Sequence, residues 1–417
     1  MFTRVSYKIL ESGFWLLLIT LFLISFPRSW SLWPLGIFLG TGLLLWIINF
    51  KTCIDLLVKN IKIIIPPVVY FLIHLISIIW QDGPLNMITD KLMFVLVPLL
   101  GLPIFISFSK QKIQNLFRSY ILGIFIVSII LIIRTIFFVR SQVPPDQSFI
   151  EYSFSHDYWF LTSRFSVFEH PTYLSMKIIW IFLLVIYANI KLKISYTSII
   201  LLCIYFSLLI FLLASRAAII CWVVVGFILF FKMYRKKLIK PYVFPIAVLL
   251  IVIITGLSAN KIARIYESAD NLKIKLRDES IHWKDIDQRT REWFTAIQII
   301  KEKPVTGAGY FLIKDKLLEK YLENGFFEEA LQLMNAHNQY LEAQMTFGIA
   351  GSISLLMMLL IPLIYRKQIR YPRLMTIFIA MVSFFLMFES MFNRQWGIMF
   401  FLLFYCILCL GEENVNI

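Results

Sequence analysis

Apolar runs recur along the whole chain, and the polar stretches between them are mostly short. A helix needs about 20 apolar residues to cross a hydrocarbon core of about 30 Å, and on that measure the runs predict about twelve spans. They lie near 13–27, 33–50, 63–80, 92–108, 116–139, 172–189, 195–213, 217–231, 242–258, 346–364, 374–390 and 396–411. The runs are apolar on every face, whereas the helices of a soluble protein keep a polar outward face. The fold class is therefore read as an all-α polytopic membrane protein. The first run ends at Phe26-Pro27-Arg28 without a small-residue cleavage site, so it is read as a retained span and not as a removed signal peptide.

The pattern breaks once on a large scale, between 259 and 345. This divides the chain into spans one to nine (1–258), a large helical loop (259–345) and spans ten to twelve (346–417). Within the loop, Trp293, Ala296, Ile297 and Ile300 recur at helical spacing. They predict an amphipathic helix that packs on the top of the bundle and stops at Pro304. Gly307-Ala308-Gly309 then predicts a turn where backbone approaches another group closely. Asn335, or His337-Asn338, marks the start of the next helix.

Composition agrees with the pattern. The chain of 417 residues is 59% hydrophobic and 16% charged, where a soluble domain is about a quarter charged. Its net charge of +15 is mainly an orientation signal. The loops that share the amino-terminal side hold Arg4 and Lys8, then Lys51, Lys59 and Lys62, then Lys110, Lys112 and Arg118, then Lys191 and Lys193. Farther on they hold Lys232 to Lys240, and Arg366 to Arg373. The positive-inside rule makes both termini cytoplasmic and the large loop external. That loop carries 13 Lys and Arg against 14 Asp and Glu, so it offers no basic patch for nucleic acid. The five cysteines fall in spans or on the cytoplasmic side, which argues against a disulfide framework. No Walker loop, H-E-x-x-H or metal-spaced His/Cys cluster is present, and neither cofactor nor metal is expected.

Most charged groups near the spans have bland readings. His74 is read as a helix-packing residue and Arg134 as snorkelling. The external loop from 140 to 171 carries Tyr152, Phe154, His156, Tyr158, Trp159 and Phe160, which fit an interfacial belt or a sugar platform. Arg164 and His170 precede span six and either contact an anionic substrate or cap the helix that Pro171 starts. Arg216 lies at the tight external turn between two apolar helices, a costly place for a guanidinium without a partner. Arg289 and Arg291 sit on the first turns of the amphipathic helix, and His337 sits at the membrane surface.

Arg289, Trp293, Ala296, Ile300, Pro304, Gly307 and Gly309 form the pattern R-x-x-x-W-x-x-A-x-x-x-I-x-x-x-P-x-x-G-x-G. His337, Asn338, Tyr340 and Leu341 form H-N-x-Y-L, followed by Gly348 and Gly351. In this order, with the large loop between spans nine and ten, they resemble the signature of the O-antigen ligase/polymerase family. Ser215-Arg216-Ala217 resembles the family's S-R-G turn with alanine in place of glycine, which predicts a turn less free to adopt positive φ. Glu389 to Gly397 resembles the polar turn before its last span.

The resemblance implies the fold of membrane glycosyltransferases with a polyprenyl-linked donor. It implies passage of a glycan from polyprenyl pyrophosphate to a hydroxyl, on the periplasmic face of the bacterial inner membrane. The acceptor is lipid A-core for a ligase or a second lipid-linked glycan for a polymerase; the ligase is the preferred reading. A lipid-linked oligosaccharide transporter is the competing class, and it would favour internal symmetry with paired broken helices. The expected partners are thus the lipid-linked donor, the acceptor and membrane lipid, with no nucleic acid. Arg216 and Arg289, with Arg291 as a third contact, are expected to bind the pyrophosphate. His337 is expected to act as general base, with Asn338 or Glu342 orienting its ring. Asn338, Tyr340, Trp293, Gly307 and Gly309 are the remaining expected substrate contacts, beside Arg164 and His170.

Overall fold

The computed structural model describes residues 4–146, 148–149, 162–187, 196–235 and 286–411, which are helical with no strand. The predicted ninth span, His156 with its aromatic neighbours and His282 lie outside them. The amino-terminal part holds α1 (Arg4–Phe22), α2 (Arg28–Ile48), α3 (Phe50–Trp80), α4 (Met93–Leu100), α5 (Leu102–Ile106) and α6 (Lys110–Gln142). A short α7 (Thr162–Phe165) leads to α8 (Pro171–Tyr187), α9 (Tyr196–Leu213) and α10 (Arg216–Arg235). The large loop holds α11 (Gln288–Glu302), α12 (Ile313–Glu323) and α13 (Phe327–Leu331). The chain then re-enters the bundle as α14 (Gln339–Ile364), α15 (Pro372–Leu386) and α16 (Gln395–Cys409).

Each predicted span within the described residues coincides with apolar helix, but only α1, α2, α3, α6 and α14 are long and apolar enough to cross a membrane by themselves. α8, α9, α10, α15 and α16 contribute shorter apolar stretches, Pro171–Val185, Leu201–Leu213, Arg216–Ile228, Pro372–Leu386 and Gln395–Cys409. The predicted fourth span is broken into α4 and α5 at Gly101. Elsewhere helices outrun their apolar runs. α3 begins at Phe50 and takes in Lys51, Asp55, Lys59 and Lys62, because nothing in that polar stretch interrupts the backbone ladder.

α16 is the centre of the bundle. Every residue from Gly397 to Cys409 is buried, as a helix apolar on all faces requires. It carries the free thiols of Cys406 and Cys409, a C-x-x-C spacing sealed in the core. Three buried cations brace the bundle. Lys177 in α8 pairs with Glu169 at 2.6 Å and donates to Ile24 O at 2.9 Å. Lys91 donates to Phe392 O. Arg370, counted in the sequence as a cytoplasmic loop charge, is instead buried and donates to Phe105 O and Ile106 O at 3.0 and 3.2 Å. Those are the last carbonyls of α5, where a cation is favoured.

The large loop has a small core of its own, in which Ala296 and Ile299 of α11 meet Ile313, Leu317, Tyr321 and Met345. The buried face of α11 is Thr290, Glu292, Thr295, Ala296 and Ile299, rotated from the expected one, and Ile297 is 39% exposed. α11 therefore seals against α12 and α14 instead of lying greasy-side-down on the bundle. The turn after Pro304 makes its close approach to α14. Gly348 breaks that helix with φ +62° and ψ −146°. Across the break Ala308 N and Gly309 N donate to Met345 O and Thr346 O at 2.8 Å, and Ile349 N donates to Val305 O at 3.1 Å. A Cβ on Gly307 would stand 2.4 Å from Thr346 O, and one on Gly348 2.0 Å from Val305 O. α3 closes the seam: Gln81 Nε2 donates to Ala308 O at 2.8 Å, and His74 packs between Tyr310 and Phe347, in keeping with a packing role.

Candidate active site

The site begins with the backbone around His337. Asn338 caps α14, its side-chain oxygen accepting from Tyr340 N and Leu341 N at 3.0 and 3.2 Å. Asn335 accepts from His337 N at 2.8 Å. Braced on both sides, His337 takes φ +42°, a left-handed conformation costing of order 1–3 kcal/mol for a residue with a Cβ. Such strain is held where the surrounding structure over-determines it, often at functional sites.

His337 Nδ1 lies 3.4 Å from Glu389 Oε2, and Nδ1 donates in the neutral ring that keeps Nε2 as a base. Glu389 enters from the turn between α15 and α16. Its other oxygen accepts from Arg289 Nη2 at 3.2 Å and lies 3.6 Å from His170 Nδ1. Arg289 Nη1 also donates to Phe388 O, and to His337 O at 3.4 Å. One buried carboxylate is thus ringed by three basic groups. Burial alone would raise the Glu389 pKa; the His337 hydrogen bond and the charges of His170 and Arg289 outweigh it and bring it down to about 2. Burial pulls the His337 pKa down, but the Glu389 hydrogen bond and the charges of Glu292 and Glu389 prevail over it and over Arg289, and the net shift is upward. His170 shifts the other way. Burial dominates there, helped by the charges of His337, Arg289 and Arg394 against Glu389. Glu292, on the buried face of α11, is pushed up to about 7 by burial, with Glu329 and Glu389 adding to the rise and His337 and Arg289 opposing it.

A pocket of about 110 Å³ opens over this cluster. His170, His337, Glu389 and Arg394 supply its charged lining, and Tyr173, Asn335, Ser390 and Trp396 complete it. Among the described residues no three His, Cys, Asp or Glu side chains are grouped to hold a metal.

The other expected residues divide. Arg216 pairs with Asp287 at 3.4 Å and stays 39% exposed, while Asp287 also caps α11. The left-handed residue of its turn is Ala214, with φ +48°; Ala217 lies inside α10, so its replacement of glycine does not touch the turn. Arg291 is placed away from the cluster. Its Nε donates to Glu329 at 2.7 Å and its Nη1 to Ile286 O at 2.8 Å, tying α11 to α13. Gly307 and Gly309 serve the seam with α14, Asn338 serves as a cap, and Tyr340 OH donates to Ser383 O at 3.1 Å to join α14 to α15. Trp293 is partly buried on α11, its indole N–H without a partner among the described residues. Arg164 is exposed on α7. His170 accepts from Thr172 N at 3.4 Å while lining the pocket, so its capping and site readings coexist. Glu342 does not orient His337: its Oε2 accepts from Ala336 N at 3.3 Å and Ser390 Oγ at 3.4 Å. Glu389 takes that place. Glu389 and Arg394 were visible only as members of a polar turn, and Glu292 gave no sequence signal apart from a carboxylate on an amphipathic helix.

Residues 201–356 match the family model described as O-antigen ligase. The matched stretch contains Arg216, Arg289 and His337 and ends before Glu389 and Arg394. No curated protein matches the chain. The helical membrane architecture and this match, with the ordered motifs inside it, make residues 201–356 of the chain similar to the O-antigen ligase family.

Proposed function

We propose that the protein transfers a glycan from a polyprenyl pyrophosphate to a hydroxyl of lipid A-core on the periplasmic face of the bacterial inner membrane. The observation that carries this reading is the His337–Glu389–Arg289 cluster, of which His337 and Glu389 line a pocket. A sugar hydroxyl is a weak nucleophile, and a base that removes its proton in the transition state speeds attack. His337 Nε2 takes that proton, while Nδ1 donates to Glu389, which fixes the ring and stabilises the imidazolium. The acceptor oxygen bonds to the anomeric carbon, and the anomeric C–O bond breaks with its electron pair leaving on the pyrophosphate. Planar guanidinium groups suit that leaving group. Arg216 and Arg289 are the proposed ligands, each more than a third exposed and with donors beyond those already used.

The donor arrives activated, so the transfer needs no nucleotide or redox cofactor. We also propose that it needs no divalent metal, the arginines meeting the charge. Purified protein should keep its activity in excess EDTA; loss on chelation with rescue by Mg²⁺ or Mn²⁺ would overturn that part. The acceptor is tested by deleting the gene and running lipopolysaccharide on a gel. A ligase leaves bare core while lipid-linked polymer accumulates. A single repeat on the core would make the protein a polymerase.

A further inference from the structure

One wall of the pocket has no part in the transfer scheme. Arg394 occupies the N-cap position of α16, is exposed, and lines the pocket beside His170, His337 and Glu389. Its side chain has no hydrogen bond or ion pair among the described residues, whereas Arg216, Arg289 and Arg291 are paired with Asp287, Glu389 and Glu329. Two further donors stand beside it. α16 begins without a side-chain cap, which leaves the positive end of a 15-residue helix at the pocket. Trp396, in the first turn, lines the same pocket, and its indole N–H is buried with no acceptor among the described residues. The carboxylate in the lining, Glu389, is already compensated by Arg289 and His337. A guanidinium, a helix N-terminus and an indole N–H together offer donors and no acceptor, which suits an oxyanion.

We propose that Arg394, the first turn of α16 and the Trp396 indole form an anion-binding wall, and that it takes the pyrophosphate of the polyprenyl-linked donor. This rests on the transfer reading above. It adds to Arg216 and Arg289 a guanidinium in the pocket lining itself.

The test is binding of polyprenyl pyrophosphate to the full-length protein in nanodiscs, before any transfer. Arg394→Gln should weaken binding about ten- to a hundredfold, the scale of a lost charged hydrogen bond. Arg394→Lys should recover part of it, since the charge stays and the fork is lost. Trp396→Phe, which removes the indole N–H together with its five-membered ring and keeps an aromatic group, should weaken binding several-fold and serves as a second arm if Arg394→Gln fails to fold. Binding by both Arg394→Gln and Trp396→Phe within about twofold of wild type would overturn the proposal while leaving the transfer reading standing. If only lipid A-core binding falls, the wall belongs to the acceptor and the proposal is wrong. A wild-type protein that binds no polyprenyl pyrophosphate sinks both.

Discussion

His337 is held in left-handed backbone by an asparagine on each side, with its ring against a buried carboxylate. A capping histidine would need neither. If it is the base, His337→Gln should bind the donor normally and transfer at least about a hundredfold more slowly. Donor binding and single-turnover rate on one folded preparation decide this, and near wild-type turnover would end the assignment. The pH profile tests Glu389. His337 is raised above its usual value near 6.5, so the free base is lost, and transfer falls, as pH drops through that raised value. Glu389→Gln removes a hydrogen-bonding carboxylate and leaves burial to pull the imidazole down. The acidic limb should then move to lower pH, on a reduced plateau. An unmoved limb would show that Glu389 does not set the base. His337 and Arg289 were singled out in the sequence by the ordered motifs that resemble the family's, and the structure brings these two together. Glu389 as the partner was not singled out, since it meets His337 only when α14 and α15 pack.

At the level of elements, α11 was legible as a helix and misread as to its face. Periodicity counted Trp293 and Ile297 as the inward stripe, but the stripe that packs contains Glu292 and Thr295 beside Ala296 and Ile299. Arg291 was misplaced for a related reason. Its partner Glu329 lies on another helix, and both are well buried, with side chains 13% and 1% exposed. Arg291→Ala should therefore cost about 3–5 kcal/mol by stranding a buried carboxylate. The double change Arg291→Met with Glu329→Leu should recover most of that, since an apolar pair of similar volume leaves no charge unpaired. Thermal unfolding of the single and double variants is the measurement. A phosphate ligand would behave differently, with little change in stability and lost donor binding in both.

For the whole molecule, hydropathy located apolar helix at each tested position, but not how far each helix extends or whether it runs unbroken. α4 and α5 split at Gly101, α14 kinks at Gly348, and both breaks are local backbone events inside continuous apolar runs. Charge placement was partly legible: Arg366 and Lys367 are exposed as expected, and Arg370 is not. The proposed orientation has a direct check in a cysteine-free background. Asp315→Cys on α12 should react with a membrane-impermeant maleimide from the periplasmic side, and Lys367→Cys should not until the membrane is opened. The reverse pattern would invert the topology.

The backbone pairing of 305–309 with 345–349 has a consequence for engineering. Exchanging the large loop between similar chains is an obvious way to ask which part of the chain sets specificity. A splice at the end of the polar stretch, near residue 345, would take Ala308 and Gly309 from one parent and Thr346 and Gly348 from the other. Hybrids cut there should express poorly whenever the parents differ in the geometry of the break. Hybrids in which both strands of the seam come from one parent, spliced below Gly351, should fold and report on specificity alone.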